Sequence, residues 1–334
     1  MTGHTGFKGA WLTRMLVSRG HTVSGLSLDP VKDSLFDAAR IVDDVEQDLR
    51  CDIRQATAVT EAVSSIAPDV VLHLAAQALV RDSYLDPRGT FDTNVMGTLS
   101  VLEAVAATPS VRAAVIVTTD KVYRNVNQVA GYVEEDPLGG HDPYSSSKAM
   151  ADILTQSWIA SFPGAPTAIA RAGNVIGGGD VSDNRLLPDL LRSFAAGTPA
   201  RIRYPDSVRP WQHVLDCLNG YLTLADALLA GRGQGEWNFG PGTESFVPVS
   251  RMADLAVDVW GDGASWVLDG GTHPHEAGLL ALDSSKAHRE LGWSNRLPFP
   301  SSLEWTVEWQ KAVGSGSSPS DELDRQIAEF EELR

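Results

Sequence analysis

In the run PYSSSK, Tyr144 and Lys148 stand one helical turn apart. A phenol that ionises near pH 10 is a poor base at neutrality, but an ammonium beside it stabilises the phenolate. Such a pair can take a proton from a hydroxyl while a hydride leaves the same carbon. Upstream, the apolar run AAVIVTT ends in Thr119 and is followed at once by Asp120 and Lys121. The tyrosine–lysine spacing also occurs on ordinary surface helices, so the strand-end threonine is what gives it weight. Near the amino terminus Gly3, Gly6 and Gly9 fall at G-x-x-G-x-x-G spacing, ahead of a helical stripe of Phe7, Trp11, Leu12, Met15 and Leu16 that stops at Gly20. Glycines so placed let backbone N–H groups approach a pyrophosphate and aim the positive end of a helix at it. A turn of three glycines with no ligand is the plain alternative.

The elements that must carry these residues alternate. Apolar runs at 22–28, 69–75, 113–119 and 166–171 are each followed by a helical pattern. That alternation predicts an α/β fold, a doubly wound, mostly parallel (Rossmann) sheet with helices on both faces. Ligands then belong at the carboxyl ends of the strands, near residues 29, 75–81, 118–121 and 172–180. After residue 174 the pattern loosens into proline-marked loops and short strands such as ARIRYP and EWNFG, which read as a smaller substrate lobe. The expected division is a dinucleotide-binding domain over 1–173 with a return segment near 211–235, and a substrate lobe over 174–210 and 236–334. The chain opens directly on the glycine turn, so the strand that normally delivers such a turn is expected to be missing, leaving its neighbours short of hydrogen-bond partners.

Composition excludes some roles. The chain of 334 residues has 43% hydrophobic and 21% charged residues, ordinary globular values, and a formal charge of −16. That charge repels nucleic acid and anionic membranes, so a nucleotide must be held by local arginines, lysines and amides. Cys51 and Cys217 offer neither a disulfide framework nor zinc-ligand spacing, and no metal site is expected. With no leader or long apolar run, a cytoplasmic enzyme is the expectation. His73, inside an apolar strand, reads as a core histidine.

The stretches TGHTGFKGAWL, HLAAQALVRDSY, TNVMGT, TTDKVY, EEDPLGGHDPYSSSK, RAGNVIGGGD, RPWQHV and NFGP together resemble the extended short-chain dehydrogenase/reductase superfamily over nearly the whole chain. Thr-Asp-Lys together with GGHDPYSSSK is similar to the branch that dehydrates CDP-glucose; relatives acting on dTDP-glucose carry Thr-Asp-Glu. The resemblance implies an internal redox cycle with NAD. Tyr144 would deprotonate the C4 hydroxyl as hydride leaves C4, Thr119 would bond the C4 oxygen, and a base near Asp120 and Lys121 would remove the C5 proton. Asp120, protonated, would donate to the departing C6 hydroxyl, and hydride would return to C6. An ammonium cannot abstract a proton, so Lys121 either works deprotonated or aids the enolate electrostatically.

For the cofactor the resemblance implies Gly3, Thr5, Gly6, Phe7, Gly9, Asp29, Asp52, Ile53, Ala75, Ala76, Gln77 and Asn94 beside Tyr144 and Lys148. Counting along the strand puts Ser27, not Asp29, where the acid that accepts the adenosine ribose usually stands, which leaves NADP open; no arginine follows to receive a 2′-phosphate. Asp52 could equally be a turn residue. For the nucleotide sugar the implied residues are Arg81, Ser83, His141, Asn174, Arg185 and Arg209. Helical stretches at 90–106 and 145–162 would form a homodimer's four-helix bundle. Val122 and Arg124 depart from the family's DKCYEN, the second reversing a charge next to the catalytic turn. A nucleotide-sugar 4-epimerase and a non-catalytic nucleotide-sugar-binding relative are the other readings.

Overall fold

A computed structural model describes residues 1–128, 130–271 and 279–333. The first half runs α1 (Phe7–Ser18), β1 (Ser24–Ser27), α2 (Leu35–Ala38), β2 (Gln47–Arg50), α3 (Ala56–Ile66), β3 (Val70–His73), α4 (Val80–Leu85), α5 (Pro87–Phe91), α6 (Gly97–Ala107), β4 (Ala113–Val117), α7 (Pro143–Ser161) and β5 (Thr167–Ala172). The second half adds β6 (Val175–Ile176), α8 (Leu186–Ala195), β7 (Ala200–Ile202), β8 (Val208–Pro210), β9 (Gln212–His213), α9 (Val214–Leu229), β10 (Gly235–Phe239), β11 (Phe246–Pro248), α10 (Val249–Trp260), β12 (Trp266–Leu268), α11 (Ser285–Leu291), α12 (Phe299–Gly314) and α13 (Pro319–Glu332).

The strands β3, β4, β5 and β10 pair in parallel in that order, and β1 pairs in parallel with β2. Residues 1–3 join the two groups. Thr2 bridges both Leu26 and His73 in parallel, Thr2 N–H donates to Leu72 O at 2.9 Å, and Gly3 N–H donates to Leu26 O at 2.9 Å. The first-strand position is therefore held by its last residues alone, and there the neighbours keep their hydrogen bonds. The resulting order, with β2 and β1 on one side of residues 1–3 and β3, β4, β5 and β10 on the other, is the doubly wound pattern, and its switch point falls between residues 1–3 and β3.

One expectation is corrected. EWNFG does not belong to the second lobe: β10 pairs with β5 in parallel, Trp237 opposite Ala170, and extends the main sheet. The long helix α9 returns the chain across that sheet and packs on β4 and β5, which places the next strand at the sheet's edge. Alternation then splits the core between two faces. Ala113, Val115 and Val117 pack with α1 and α9, whereas Ala114 faces Val59, Val63, Val101 and Val105 of α3 and α6. A separate core of Leu187, Leu190, Phe194, Ile202, Met252 and Leu303 holds α8, α10 and α12 together with the short strands.

Asp216 ties the C-terminal segment to α9. Its fully buried carboxylate accepts Arg296 N–H at 2.7 Å and Leu297 N–H at 3.0 Å, and burial lifts its pKa from 3.8 to about 7 despite those bonds. A folded-state pKa above the unfolded one contributes stability that is complete below about pH 4 and lost as pH rises through about 7, at most roughly 4 kcal/mol. Thermal melts between pH 5 and pH 8 should fall with rising pH in the wild type and flatten in Asp216→Asn; parallel slopes in the two proteins would refute the assignment.

Candidate active site

Strand β4 is wholly buried and delivers its carboxyl end into the switch-point crevice. There Thr119 caps a single 3₁₀ turn over Asp120–Val122. Its hydroxyl donates to Asp120 Oδ1 at 2.8 Å. Asp120 is 2% exposed, and its Oδ2 has no hydrogen-bond partner among the described residues. Lys121 is half-buried at the same turn. Val122 is buried, and Arg124 is exposed, so the reversed charge does not enter this cluster.

Helix α7 starts at a capping signal, two residues ahead of the helical stretch expected from 145. Asp142 accepts Ser145 N–H at 2.9 Å, and Pro143 occupies the first turn, where its missing N–H costs nothing. This sets Tyr144 in the first turn and Lys148 one turn later. Tyr144 gathers with Thr119, Asp120 and Arg185: burial raises its pKa to about 12, the Thr119 hydroxyl draws it back, the Asp120 charge adds to the rise and Arg185 opposes it. The expected help from Lys148 is not what this structure contains. The Lys148 ammonium instead donates to Val117 O at 2.8 Å, and burial pulls its pKa down to about 8, with Asp152 raising it and Lys8 lowering it. Desolvation is the largest influence on both groups, so the phenol ionises less readily here than in water.

The glycine turn is built for close approach. Gly3 has φ +76°, and a Cβ there would lie 2.7 Å from Ala75 N; a Cβ on Gly9 would lie 2.1 Å from Gly3 O. Helix α1 has no side-chain cap and no acidic residue in its first turn. Its leading amides, at Phe7, Lys8 and Gly9, therefore remain available to an anion. Thr5 Oγ1 joins Ser27 Oγ at 2.7 Å and fastens the turn to the end of β1. Ser27 closes that strand, as the count along the sequence requires, and Asp29 lies beyond it, exposed and 3.5 Å from Arg50 Nε. Asp52 accepts Arg54 N–H at 2.9 Å and pairs with that guanidinium, which is turn chemistry and holds its pKa below the usual carboxylate value. Ile53 is buried against Gly97.

Asn94 organises the opposite wall. It sits in a π-helical turn over Asp92–Met96, a local form common at functional sites. Its Oδ1 accepts Gln77 N–H at 2.8 Å, and its Nδ2 donates to Gln77 O at 3.0 Å and to Ser147 Oγ at 2.8 Å. One side chain thus binds the Ala75–Ala76–Gln77 turn to the residue beside Lys148. Phe7 is half-buried at the head of α1.

On the side toward the second lobe, Arg185 donates to Asp180 at 3.1 Å and Arg81 to Asn184 at 2.7 Å. Asn174 lies two residues beyond the end of β5, and its carbonyl accepts Gln212 N–H at 3.2 Å. Arg209 lies in β8 opposite Val247 and donates to Val208 O at 3.0 Å. His141 is exposed just before α7. Ser83 is fully buried, and its hydroxyl donates to Val80 O at 2.6 Å, so it serves its own helix. His73 is a satisfied core residue: Thr2 and Thr98 hydroxyls flank its ring at 2.7 and 3.1 Å, and burial lowers its pKa to about 3.

Sequence reasoning missed two groups. Lys8, visible as the lysine in GFKG, donates to Tyr221 OH at 3.3 Å and to Cys217 Sγ at 3.6 Å and puts a cation under the turn. Beneath the catalytic strand end, Arg171 makes a fully buried fork to Asp152 at 2.7 and 2.9 Å; Asp152 also accepts Thr118 Oγ1 at 2.9 Å, and Arg171 donates to Tyr123 OH at 2.7 Å. No local pattern in the sequence signals these pairings. Among the described residues, no cluster of three His, Cys, Asp or Glu could hold a metal, and no helix is long and apolar enough to cross a membrane.

The model of the NAD dependent epimerase/dehydratase family matches residues 1–240. The chain is 43% identical, over 99% of its own length and 95% of the relative's, to the CDP-glucose 4,6-dehydratase of Salmonella typhimurium. It is 29% identical to the dTDP-glucose 4,6-dehydratase of Xanthomonas campestris, with 92% of each chain covered. Its fold superposes on the dTDP-glucose 4,6-dehydratase of Streptomyces venezuelae, solved with NAD and TYD bound, with a TM-score of 0.80 and 25% identity over 96% of this chain and 98% of that one. A UDP-glucose 4-epimerase from Thermotoga maritima shares the fold at a TM-score of 0.79 and 21% identity, covering 93% and 98%.

Proposed function

The chain belongs to the NAD dependent epimerase/dehydratase family, and from that premise we propose that it converts CDP-glucose to CDP-4-dehydro-6-deoxyglucose and water with NAD as its cofactor. The observation that carries this reading is the Asp120 carboxyl, buried beside Tyr144 with one oxygen unengaged. An epimerase needs a base and a hydride acceptor but has no leaving hydroxyl to protonate. The close likeness to the Salmonella enzyme supports CDP-glucose over dTDP-glucose.

The glycine turn, the open amides of α1 and the Asn94-held wall would hold NAD, which bound there would supply an acceptor for the C4 hydride and a source of hydride for C6. Tyr144 takes the C4 hydroxyl proton, Thr119 bonds the resulting carbonyl oxygen, and Arg185 eases the phenolate electrostatically. The ketone acidifies C5–H. A base at the Asp120–Lys121 turn takes that proton, with Lys121 stabilising the enolate, while Asp120 protonates the C6 oxygen and water departs; a proton returns to C5 from that base as hydride reaches C6. The balance closes: C4 is oxidised, C6 is reduced, and one water is lost. Arg81, Arg185, Arg209, Asn174 and His141 would bind the nucleotide sugar, with arginine forks suited to its diphosphate. The parallel-sheet half would hold NAD, and the lobe beyond residue 174 the sugar nucleotide.

Two copies of the chain would pair through α6 and α7, where Met150 and Ile153 of α7 and Met96 of the turn before α6 lie exposed. The two free cysteines support a reducing, cytoplasmic setting.

Asp120→Asn tests the function. Water loss from CDP-glucose should fall about 10²-fold or more, while C4 oxidation, followed as reduced nicotinamide and as exchange of the C5 hydrogen, persists. Unchanged turnover in this variant, or an epimerised product from the wild type, would remove the dehydratase reading.

A further inference from the structure

We infer that Gly173 is the residue that keeps Asp120 free to act as the acid for the C6 hydroxyl, a step-specific positioning role that rests on the dehydratase reading. Gly173 follows β5 directly and stands half-buried at the strand's carboxyl end. A Cβ built on it would lie 3.0 Å from Asp120 Oδ2, 3.4 Å from Cγ and 3.8 Å from Cβ. Few real methyl carbons sit so near a carboxylate oxygen, so either the carboxyl moves or its free oxygen is covered.

Three observations turn this contact into a functional statement. Gly173 is not among the residues with a positive φ, so its backbone does not call for glycine and alanine fits without strain. The oxygen it faces has no partner among the described residues, whereas its twin is fixed by Thr119 at 2.8 Å. The carboxyl cannot retreat easily, because Asp120 is 2% exposed and its own turn is capped by Thr119. Space at residue 173 therefore belongs to the Asp120 carboxyl and not to the chain path. A proton passing from Oδ2 to the C6 oxygen needs that oxygen uncovered; the earlier proton transfer, from the C4 hydroxyl to Tyr144, does not involve it.

Gly173→Ala should accordingly separate the two halves of the cycle. Water loss is expected to drop about 10-fold or more. Reduced nicotinamide and exchange of the C5 hydrogen, in single turnover with CDP-glucose, should stay within about threefold of the wild type, with the 4-keto sugar that retains its C6 hydroxyl accumulating. Equal falls in oxidation and water loss, or no fall in either, would overturn the inference. Asp120→Ala provides a second arm that relieves the crowding and so does not depend on the single variant folding well. Adding Gly173→Ala to Asp120→Ala should change neither rate further, because the group through which it acts is gone; an additional loss in the double variant would also overturn it. A wild-type chain that removes no water from CDP-glucose refutes the function itself, whereas normal wild-type dehydration with unaltered partition in Gly173→Ala refutes this assignment alone.

Discussion

Tyr144→Phe should lower turnover about 10³-fold while the nucleotide sugar still binds within a few-fold of its wild-type affinity. The ring and its packing survive the change, so what disappears is the proton acceptor for the C4 hydroxyl. The magnitude follows from the position of the phenol. Burial raises its pKa to about 12, so ionising it in the empty site is costly, and Thr119 and Arg185 work against that cost. A substrate hydroxyl placed against Tyr144 uses the whole of that arrangement, and no neighbouring group duplicates it: Lys148 is turned to Val117 O, and Asp120, as the protonated acid for the C6 hydroxyl, is no acceptor for the C4 proton. Rapid-mixing measurement of reduced nicotinamide would read the effect at the first step. A variant that oxidises C4 at a tenth of the wild-type rate or faster would mean that another group takes the proton.

Arg171→Ala should destabilise the fold by about 3–5 kcal/mol, the largest stability effect expected of any single substitution here. Both partners of the Arg171–Asp152 pair have fully buried side chains. The pair holds together β5, α7, the Thr118 strand end and Tyr123, whose hydroxyl passes the chain of bonds to Asn238 in β10 at 2.8 Å. Removing the guanidinium leaves the Asp152 carboxylate in the core with Thr118 and Gln156 as its remaining hydrogen-bond partners among the described residues and with only the longer-range attraction of Lys148 to offset its burial. Replacing both members with apolar residues of similar volume should cost much less, since the penalty is that of one unpaired charge. Urea denaturation of Arg171→Ala and of an Asp152→Leu/Arg171→Met double variant would measure both. A loss under about 1 kcal/mol in the single variant would mean that water reaches this pair.

The features legible in the sequence are those fixed within a few residues. Asp142 and Pro143 start α7 and so phase Tyr144 and Lys148; the strand AAVIVTT carries Thr119 and Asp120 to its end; the glycines shape a turn that only close backbone packing explains. Residues whose role depends on a distant partner were not legible. EWNFG looks like any short strand, and only the path of α9 puts it beside β5. Asp152 and Arg171 read as one more acid on a helix and one more base on a strand until the sheet brings them together. Lys148 stands one turn from Tyr144 as its spacing requires, yet its ammonium finds a strand carbonyl first, because burial favours the nearest fixed acceptor. Ser83, similar to a substrate-side position by its motif, turns inward because a helical serine can bond its own preceding turn. The first strand is missing as an element, and the isolated bridges of Thr2 to Leu26 and His73 that stand in its place could not be read from two residues ahead of a glycine turn.

The central claim is a dehydration of CDP-glucose, and the mass of the sugar nucleotide tests it most directly. The purified chain, incubated with and without added NAD⁺, would be offered CDP-glucose and, separately, dTDP-glucose, UDP-glucose and GDP-mannose. CDP-glucose alone should lose one water, and the loss should require NAD. An unchanged mass for every sugar nucleotide in the presence of NAD⁺, or loss of water from a different one, would contradict it.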